Sequence, residues 1–241
     1  MAHVSVRVIV ALDVPASRPA LALVRRLGDE AGFYKVGSEL FTAAGPGMVR
    51  ALRDRGHDVF LDLKFHDIPN SVRAAARGAA ALGARLITVH ASGGMAMLEA
   101  AAEGAGAGCG VLAVTVLTSL DAAALGEAWG RQGAVVEAEV LRLSDLAARA
   151  GVHGLVCSGQ EASAVRARHR DALRLLVPGI RLADGAHHDQ ARVVTPAAAV
   201  EAGASYLVLG RAVTEATDPR EALARVRAEV SATEQKLASD P

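Results

Sequence analysis

The chain has 241 residues, 51% hydrophobic and 22% charged, with 26 basic and 26 acidic side chains and a formal charge of zero. That length allows one large α/β domain or two small ones, and the charge balance excludes a broad electrostatic attraction to nucleic acid or to an anionic membrane, so an anionic ligand must be met by local charges. An aromatic share of 3% argues against base stacking as the main mode of ligand binding.

The N-terminal stretch MAHVSVRVIVALDVP is apolar over the length of a strand, without a basic leader region or a small-residue cleavage site, and no stretch approaches eighteen consecutive apolar residues. A soluble, cytoplasmic protein with no membrane partner is expected. From there short apolar runs alternate with Ala/Arg/Leu-rich segments of helical period. Strands are expected over 6–13, 32–37, 58–65, 85–90, 110–117, 154–158, 173–178 and 205–210. Helices are expected near 18–29, 45–55, 70–83, 94–103, 135–150, 160–169, 195–202 and 218–231. Eight βα repeats in this length match a (β/α)₈ TIM barrel, and no linker suggests a second domain. The expectation is one barrel domain over 1–241 with a polar tail from about 230. Periodicity does not show closure, so an open doubly wound sheet is the alternative. The glycines of GAGAGCG (104–110) come close to a dinucleotide fingerprint, but here a helix precedes and a strand follows, which reads as a helix-to-strand turn. Cys109 and Cys157 sit among apolar residues without metal-knuckle spacing and read as buried free thiols.

In such a barrel, function gathers where strands end and loops begin. Polar residues recur there: Asp13, Lys35, Asp62 with Lys64, His90, Thr118 with Ser119, Arg181, and Gly210 with Arg211. Side chains alternate along a strand, so in FLDLKF Asp62 and Lys64 share one face and Leu61, Leu63 and Phe65 the other. The apolar face belongs against the helices, which points the two charges inward. Burying them for structure alone is the bland alternative. Only three of the 26 cations are Lys, leaving 23 Arg, and two of the three, Lys35 and Lys64, fall inside strands. An ammonium gives up a proton where a guanidinium does not. Lys35 and Lys64 with Asp13 and Asp62 therefore read as an alternating charge network of the kind that stabilises a charged transition state; Asp67, five positions after Asp62 and beyond the strand, is a further carboxylate whose direction the strand period leaves open.

DLKFHDIPNSV, preceded by ALDVP and FYKVG and followed by VHASGG, TVLTS, PGIR, DQ and GRAVT, resembles orotidine 5′-phosphate decarboxylase of the bacterial type, collinearly from Val8 to about Ala224. The Asp-x-Lys-x-x-Asp unit alone is shared with related sugar-phosphate barrels; the ordered set is far more specific. The resemblance implies decarboxylation of orotidine 5′-monophosphate to uridine 5′-monophosphate, the last step of pyrimidine synthesis, with no metal and no cofactor. It implies Lys64 as proton donor to C6, Asp62 near the leaving group, Lys35 linking Asp62 towards the ribose, and Asp67 as a second carboxylate given to the neighbouring subunit of a homodimer. It further implies substrate contacts from Asp13, Ser71, Thr118, Ser119, Arg181, Gln190, Gly210 and Arg211. Ser71 departs from the Thr common in the family motif but keeps the hydroxyl. Arg181 and Gln190 bracket a long polar loop suited to closing over phosphate, and His187 to Asp189 within it read as solvated, since adjacent side chains rarely chelate one ion. His66 and His90 read as packing residues near the site.

Two other readings compete. A Mg²⁺-dependent sugar-phosphate enzyme of the same superfamily carries Glu where this chain has Lys35, whose ammonium would repel the metal. A catalytically silent barrel would have no need to retain two buried lysines.

Overall fold

The computed structural model describes residues 5–181 and 194–239. Eight parallel strands close into a barrel in sequence order: β1 (Arg7–Ala11), β2 (Phe33–Gly37), β3 (Asp58–Phe65), β4 (Leu86–His90), β5 (Gly110–Val114), β6 (Gly154–Val156), β7 (Arg174–Val177) and β8 (Tyr206–Leu209), with β8 pairing back onto β1. Closure decides against the open sheet. The helices are α1 (Ser17–Leu27), α2 (Ser38–Ala44), α3 (Pro46–Arg53), α4 (Pro69–Ala81), α5 (Met95–Ala105), α6 (Ala122–Trp129), α7 (Val136–Arg149), α8 (Gly159–His169), α9 (Pro196–Glu201), α10 (Arg211–Thr214) and α11 (Pro219–Ser239).

The apolar residues divide into two cores, as alternation requires. Ile9, Ala11, Phe33, Phe60, Leu86, Leu112, Leu176 and Val208 fill the barrel interior. The opposite strand faces, among them Val10, Val36, Leu61, Ile87 and Leu155, pack outward against the helices. Phe60 is interior and Leu61 exterior, so Asp62 continues the interior face and points at the mouth.

The strands at the mouth end sooner than the apolar runs do. β1 stops at Ala11 and β5 at Val114, because pairing ceases while the sequence stays apolar. Three helices escape the periodicity. α2 and α10 are short, and α6 spans only eight residues. α6 nevertheless carries local signals: Asp121 accepts the Ala124 N–H at 2.8 Å as N-cap and Gly130 adopts the left-handed conformation after the last turn. At the other end of the chain, α11 runs on to Ser239, through most of the segment expected as a tail. Val230 and Thr233 are buried, and Glu234 accepts the Val6 N–H at 2.6 Å, which ties the helix to the start of β1. Both cysteines are free and buried, and burial pushes the Cys109 thiol up to about 11.

Candidate active site

At the C-terminal mouth of the barrel lies a cavity of about 730 Å³ whose lining includes Asp13, Lys35, Asp62, Lys64, Thr118, Arg181, Gly210 and Arg211. The strands deliver these side chains. Lys35 follows interior Phe33 by two residues, Asp13 follows interior Ala11 by two, and Asp62 and Lys64 follow interior Phe60.

The charges alternate in space. Lys35 Nζ lies 2.7 Å from Asp13 Oδ1 and 3.7 Å from Asp62 Oδ2, while Lys64 Nζ lies 2.9 Å and 3.0 Å from the two Asp62 oxygens. The order is therefore Asp13, Lys35, Asp62, Lys64. Each inner member has an opposite charge on both sides, which offsets its desolvation. For Asp62 burial alone raises the pKa, but the Lys64 and Lys35 ammoniums and hydrogen bonds from Lys64 and Thr88 outweigh it and hold the carboxyl below its ordinary 3.8. Asp62 and Lys35 side chains are each 12% exposed and Lys64 is 36% exposed, so of the two ammoniums Lys64 is the one a ligand reaches directly.

Gly37, at the end of β2, is needed for close approach. A Cβ there would stand 3.0 Å from Lys35 Nζ and 3.3 Å from Asp13 Oδ1. Lys64 carries backbone strain: its φ is +50°, a left-handed conformation costing a non-glycine residue about 1–2 kcal/mol. It falls where the β3–β4 register shifts, between Leu61 and Phe65.

Another part of the lining is cationic. Arg181, 7% exposed, donates from Nη1 to the Ile180 carbonyl at 2.9 Å, and its buried Nε has no hydrogen-bond partner among the described residues. Burial and the nearby Arg211 charge lower its pKa against the opposing pull of Glu215. Over the described lining, Arg26, Lys35, Lys64, Arg181 and Arg211 stand against Asp13, Asp62 and Glu215. The cavity is net positive in a chain of zero formal charge. Phe60, Val114, Val116, Leu117 and Leu176 give the same cavity an apolar share of its lining.

Not every residue singled out in the sequence lines this cavity. Ser119 is exposed beyond Thr118, Ser71 is exposed in the first turn of α4, and Asp67 is exposed outside the lining, accepting the Ile68 N–H at 2.6 Å. Gln190 and His187 to Asp189 lie outside the described residues. His66 and His90 sit with ring centroids 5.4 Å apart. Burial first, then the His66 and Lys64 charges, lower the His90 pKa against the pull of Asp62, which fits a packing role better than an acid's. Sequence reasoning missed Thr88, fully buried, whose hydroxyl bonds both Asp62 and the Lys64 backbone. The available signal was its place on the interior face of LITVH, two residues from Leu86. It also missed Arg26 and Glu215, which reach the cavity from α1 and from just beyond α10, where strand alternation gives no guidance. Among the described residues no group of three or more His, Cys, Asp or Glu side chains is placed to hold a metal ion, and no described helix is long and apolar enough to cross a membrane.

Comparison with known proteins places this geometry. The family described as Orotidine 5'-phosphate decarboxylase / HUMPS matches residues 6–226. The chain is 54% identical over 224 residues to a protein of Anaeromyxobacter sp. (strain K) named orotidine 5'-phosphate decarboxylase, covering 93% of this chain and 98% of that one. A protein of the same name from Halorhodospira halophila is 52% identical over 229 residues, covering 94% and 96%. Among solved structures, orotidine 5'-phosphate decarboxylase from Lactobacillus acidophilus superposes with a TM-score of 0.84 at 36% identity, covering 94% of this chain and 99% of the other.

Proposed function

The chain belongs to the orotidine 5′-phosphate decarboxylase / HUMPS family, and from that premise we propose that Lys64, held by Asp62, Lys35 and Asp13, is the group that stabilises and protonates C6 as CO₂ leaves. The reaction is the decarboxylation of orotidine 5′-monophosphate to uridine 5′-monophosphate in pyrimidine biosynthesis. Its difficulty is electronic. Breaking the bond from C6 to the carboxyl carbon leaves an electron pair in the plane of the ring, orthogonal to the π system, so the ring offers no delocalisation. Stabilisation then has to come from fixed charge beside C6.

The observation that carries the proposal is the Lys64 ammonium, bound on one side by both oxygens of a buried, ionised Asp62 and open on the other to the cavity. An ammonium so held does not reorganise as charge develops. It opposes the growing negative charge, transfers one proton to C6 and takes another from water after product release. Asp62 orients it. Lys35 bridges Asp62 to Asp13, which is placed to accept from a ribose hydroxyl. The uncharged pyrimidine fits the apolar part of the lining and Thr118. The phosphate fits the cationic part of the lining, with Gly210, Arg211 and Arg181, whose Nε has no partner among the described residues, and with Gln190 assigned there from the sequence.

Asp67 is assigned to a neighbouring copy of the chain. It is not part of its own cavity's lining and stands next to Ile68, which is 67% exposed and apolar. A homodimer that covers Ile68 would carry Asp67 to the partner's mouth. Ser71 and Ser119, exposed at the same rim, are assigned to substrate contact on sequence alone. The enzyme is assigned to the cytoplasm and needs neither metal nor cofactor. A divalent ion is disfavoured at this mouth because an ammonium lies between Asp13 and Asp62 where a metal would need their oxygens.

The test is the fall in ultraviolet absorbance of orotidine 5′-monophosphate with purified protein, before and after exhaustive chelation. Equal turnover is expected in both. A requirement for added Mg²⁺ would overturn the assignment of this charge network.

A further inference from the structure

β3 places three residues between Leu61, paired with Ile87, and Phe65, paired with Val89, where β4 places one. The bulged segment is Asp62, Leu63 and Lys64, two residues more than the single β4 residue opposite it, Thr88. A bulge of this kind releases backbone groups from the ladder and leaves their conformation to other restraints. Lys64 then adopts φ +50°, which a lysine keeps only where the surroundings hold it.

Thr88 supplies that restraint. Its hydroxyl accepts the Lys64 backbone N–H at 2.9 Å and donates to Asp62 Oδ1 at 2.9 Å. A hydroxyl has one proton and two lone pairs, so the proton goes to the carboxylate and a lone pair serves the amide. The residue is fully buried, which shields both bonds from water. One oxygen atom thus joins the backbone of the proposed proton donor to the carboxylate that orients its ammonium.

We propose that Thr88 is a positioning residue, which locks the strained Lys64 backbone and the Asp62 carboxylate into one unit and so sets where the Lys64 ammonium stands relative to C6. The proposal rests on the reading of Lys64 as proton donor. It assigns Thr88 no contact with substrate. Its effect belongs on kcat rather than on KM, because phosphate and ribose are gripped elsewhere.

Thr88→Val keeps the shape and removes the hydroxyl. kcat is expected to fall on the order of 10²-fold with KM for orotidine 5′-monophosphate little changed, the loss typical of a reacting group misplaced by about 1 Å. The acid limb of the pH profile is expected to move to higher pH, since Asp62 loses a hydrogen bond that favours its ionised form. The other titratable groups around Asp62 are Lys64, Lys35 on β2 and His90 on β4 with His66 beside it. None is altered, so the shift between wild type and variant reports on Asp62. Thr88→Ser, which restores the hydroxyl, is expected to recover both kcat and the pH profile. A purely structural role would lower the melting temperature of the Val and Ser variants alike and leave the acid limb in place, which would overturn the proposal. If the Val protein does not fold, Thr88→Ser and Thr88→Ala differ by one oxygen atom, and equal kcat in those two overturns it as well. Lys64→Ala is assayed alongside. Full activity there defeats the reading of Lys64, whereas an inactive Lys64→Ala with an unimpaired Thr88→Val defeats only the role of Thr88.

Discussion

Gly37→Ala separates the positioning of charge from the stability of the fold. The φ of Gly37 is −89°, which alanine adopts freely, so no backbone strain is added. The new methyl stands 3.0 Å from Lys35 Nζ and 3.3 Å from Asp13 Oδ1, against about 3.4 Å for ordinary contact, so the ammonium must retreat by about 0.4 Å. Lys35 is the flexible end of a side chain, and the stability cost belongs near the bottom of the range for overpacking, about 1 kcal/mol. Catalysis is less tolerant. At about 10²-fold per ångström of misplacement, a 0.4 Å retreat predicts a loss of roughly sixfold in kcat/KM, with Lys35 displaced relative to both Asp13 and Asp62. Steady-state decarboxylation and a thermal melt on the same preparation check this. Unchanged kcat/KM with an unchanged melt would refute the claim that the 2.7 Å contact between Lys35 and Asp13 matters to the reaction. A collapse in stability would refute the claim that glycine is there for the charges.

Arg211→Ala is expected to weaken substrate binding by about 1.5–3 kcal/mol, the worth of one charge-assisted phosphate contact, which appears as KM raised roughly ten- to a hundredfold with the melting temperature unchanged. For Asp62 the folded carboxyl lies below its ordinary 3.8, so it contributes stability that is present above pH 3.8 and is lost as pH falls through the lowered folded value. Denaturant melts of wild type and Asp62→Asn should therefore differ by a constant amount above about pH 5 and converge in strong acid. Lys64→Ala and Asp67→Asn proteins, each inactive alone, are expected on refolding together to recover roughly a quarter of wild-type activity, because half of randomly mixed dimers are mixed and one of their two sites then combines intact residues. No recovery, with mixed dimers confirmed by mass spectrometry, would place Asp67 in its own chain's site.

The barrel was legible because a parallel strand buried on both faces reads as a short apolar run, and each of the eight runs became a strand. The inward direction of Asp62 followed from period two, with Phe60 interior and Leu61 exterior. What strand periodicity does not encode is backbone irregularity. The bulge at Asp62–Lys64 and the left-handed Lys64 leave no mark in the hydrophobic pattern, and Thr88, whose place depends on that bulge, stayed unseen with them. Asp67 shows the same limit from the other side. Beyond the end of β3 the alternation stops, so its place outside the lining of its own chain's cavity was open in the sequence. α11 was cut short for a different reason. VSATEQKLAS looks polar, but Val230 and Thr233 face the body of the barrel one turn apart, and Glu234 finds its partner at Val6, more than two hundred residues away.

The most direct test is the turnover of orotidine 5′-monophosphate by Lys64→Arg beside Lys64→Ala. A guanidinium keeps the positive charge near Asp62, yet it is bulkier and does not release a proton. The Arg protein is expected to be nearly as inactive as the Ala protein while melting close to wild type. If Lys64→Arg retained most of the wild-type kcat, charge alone would suffice and proton delivery by Lys64 would be wrong.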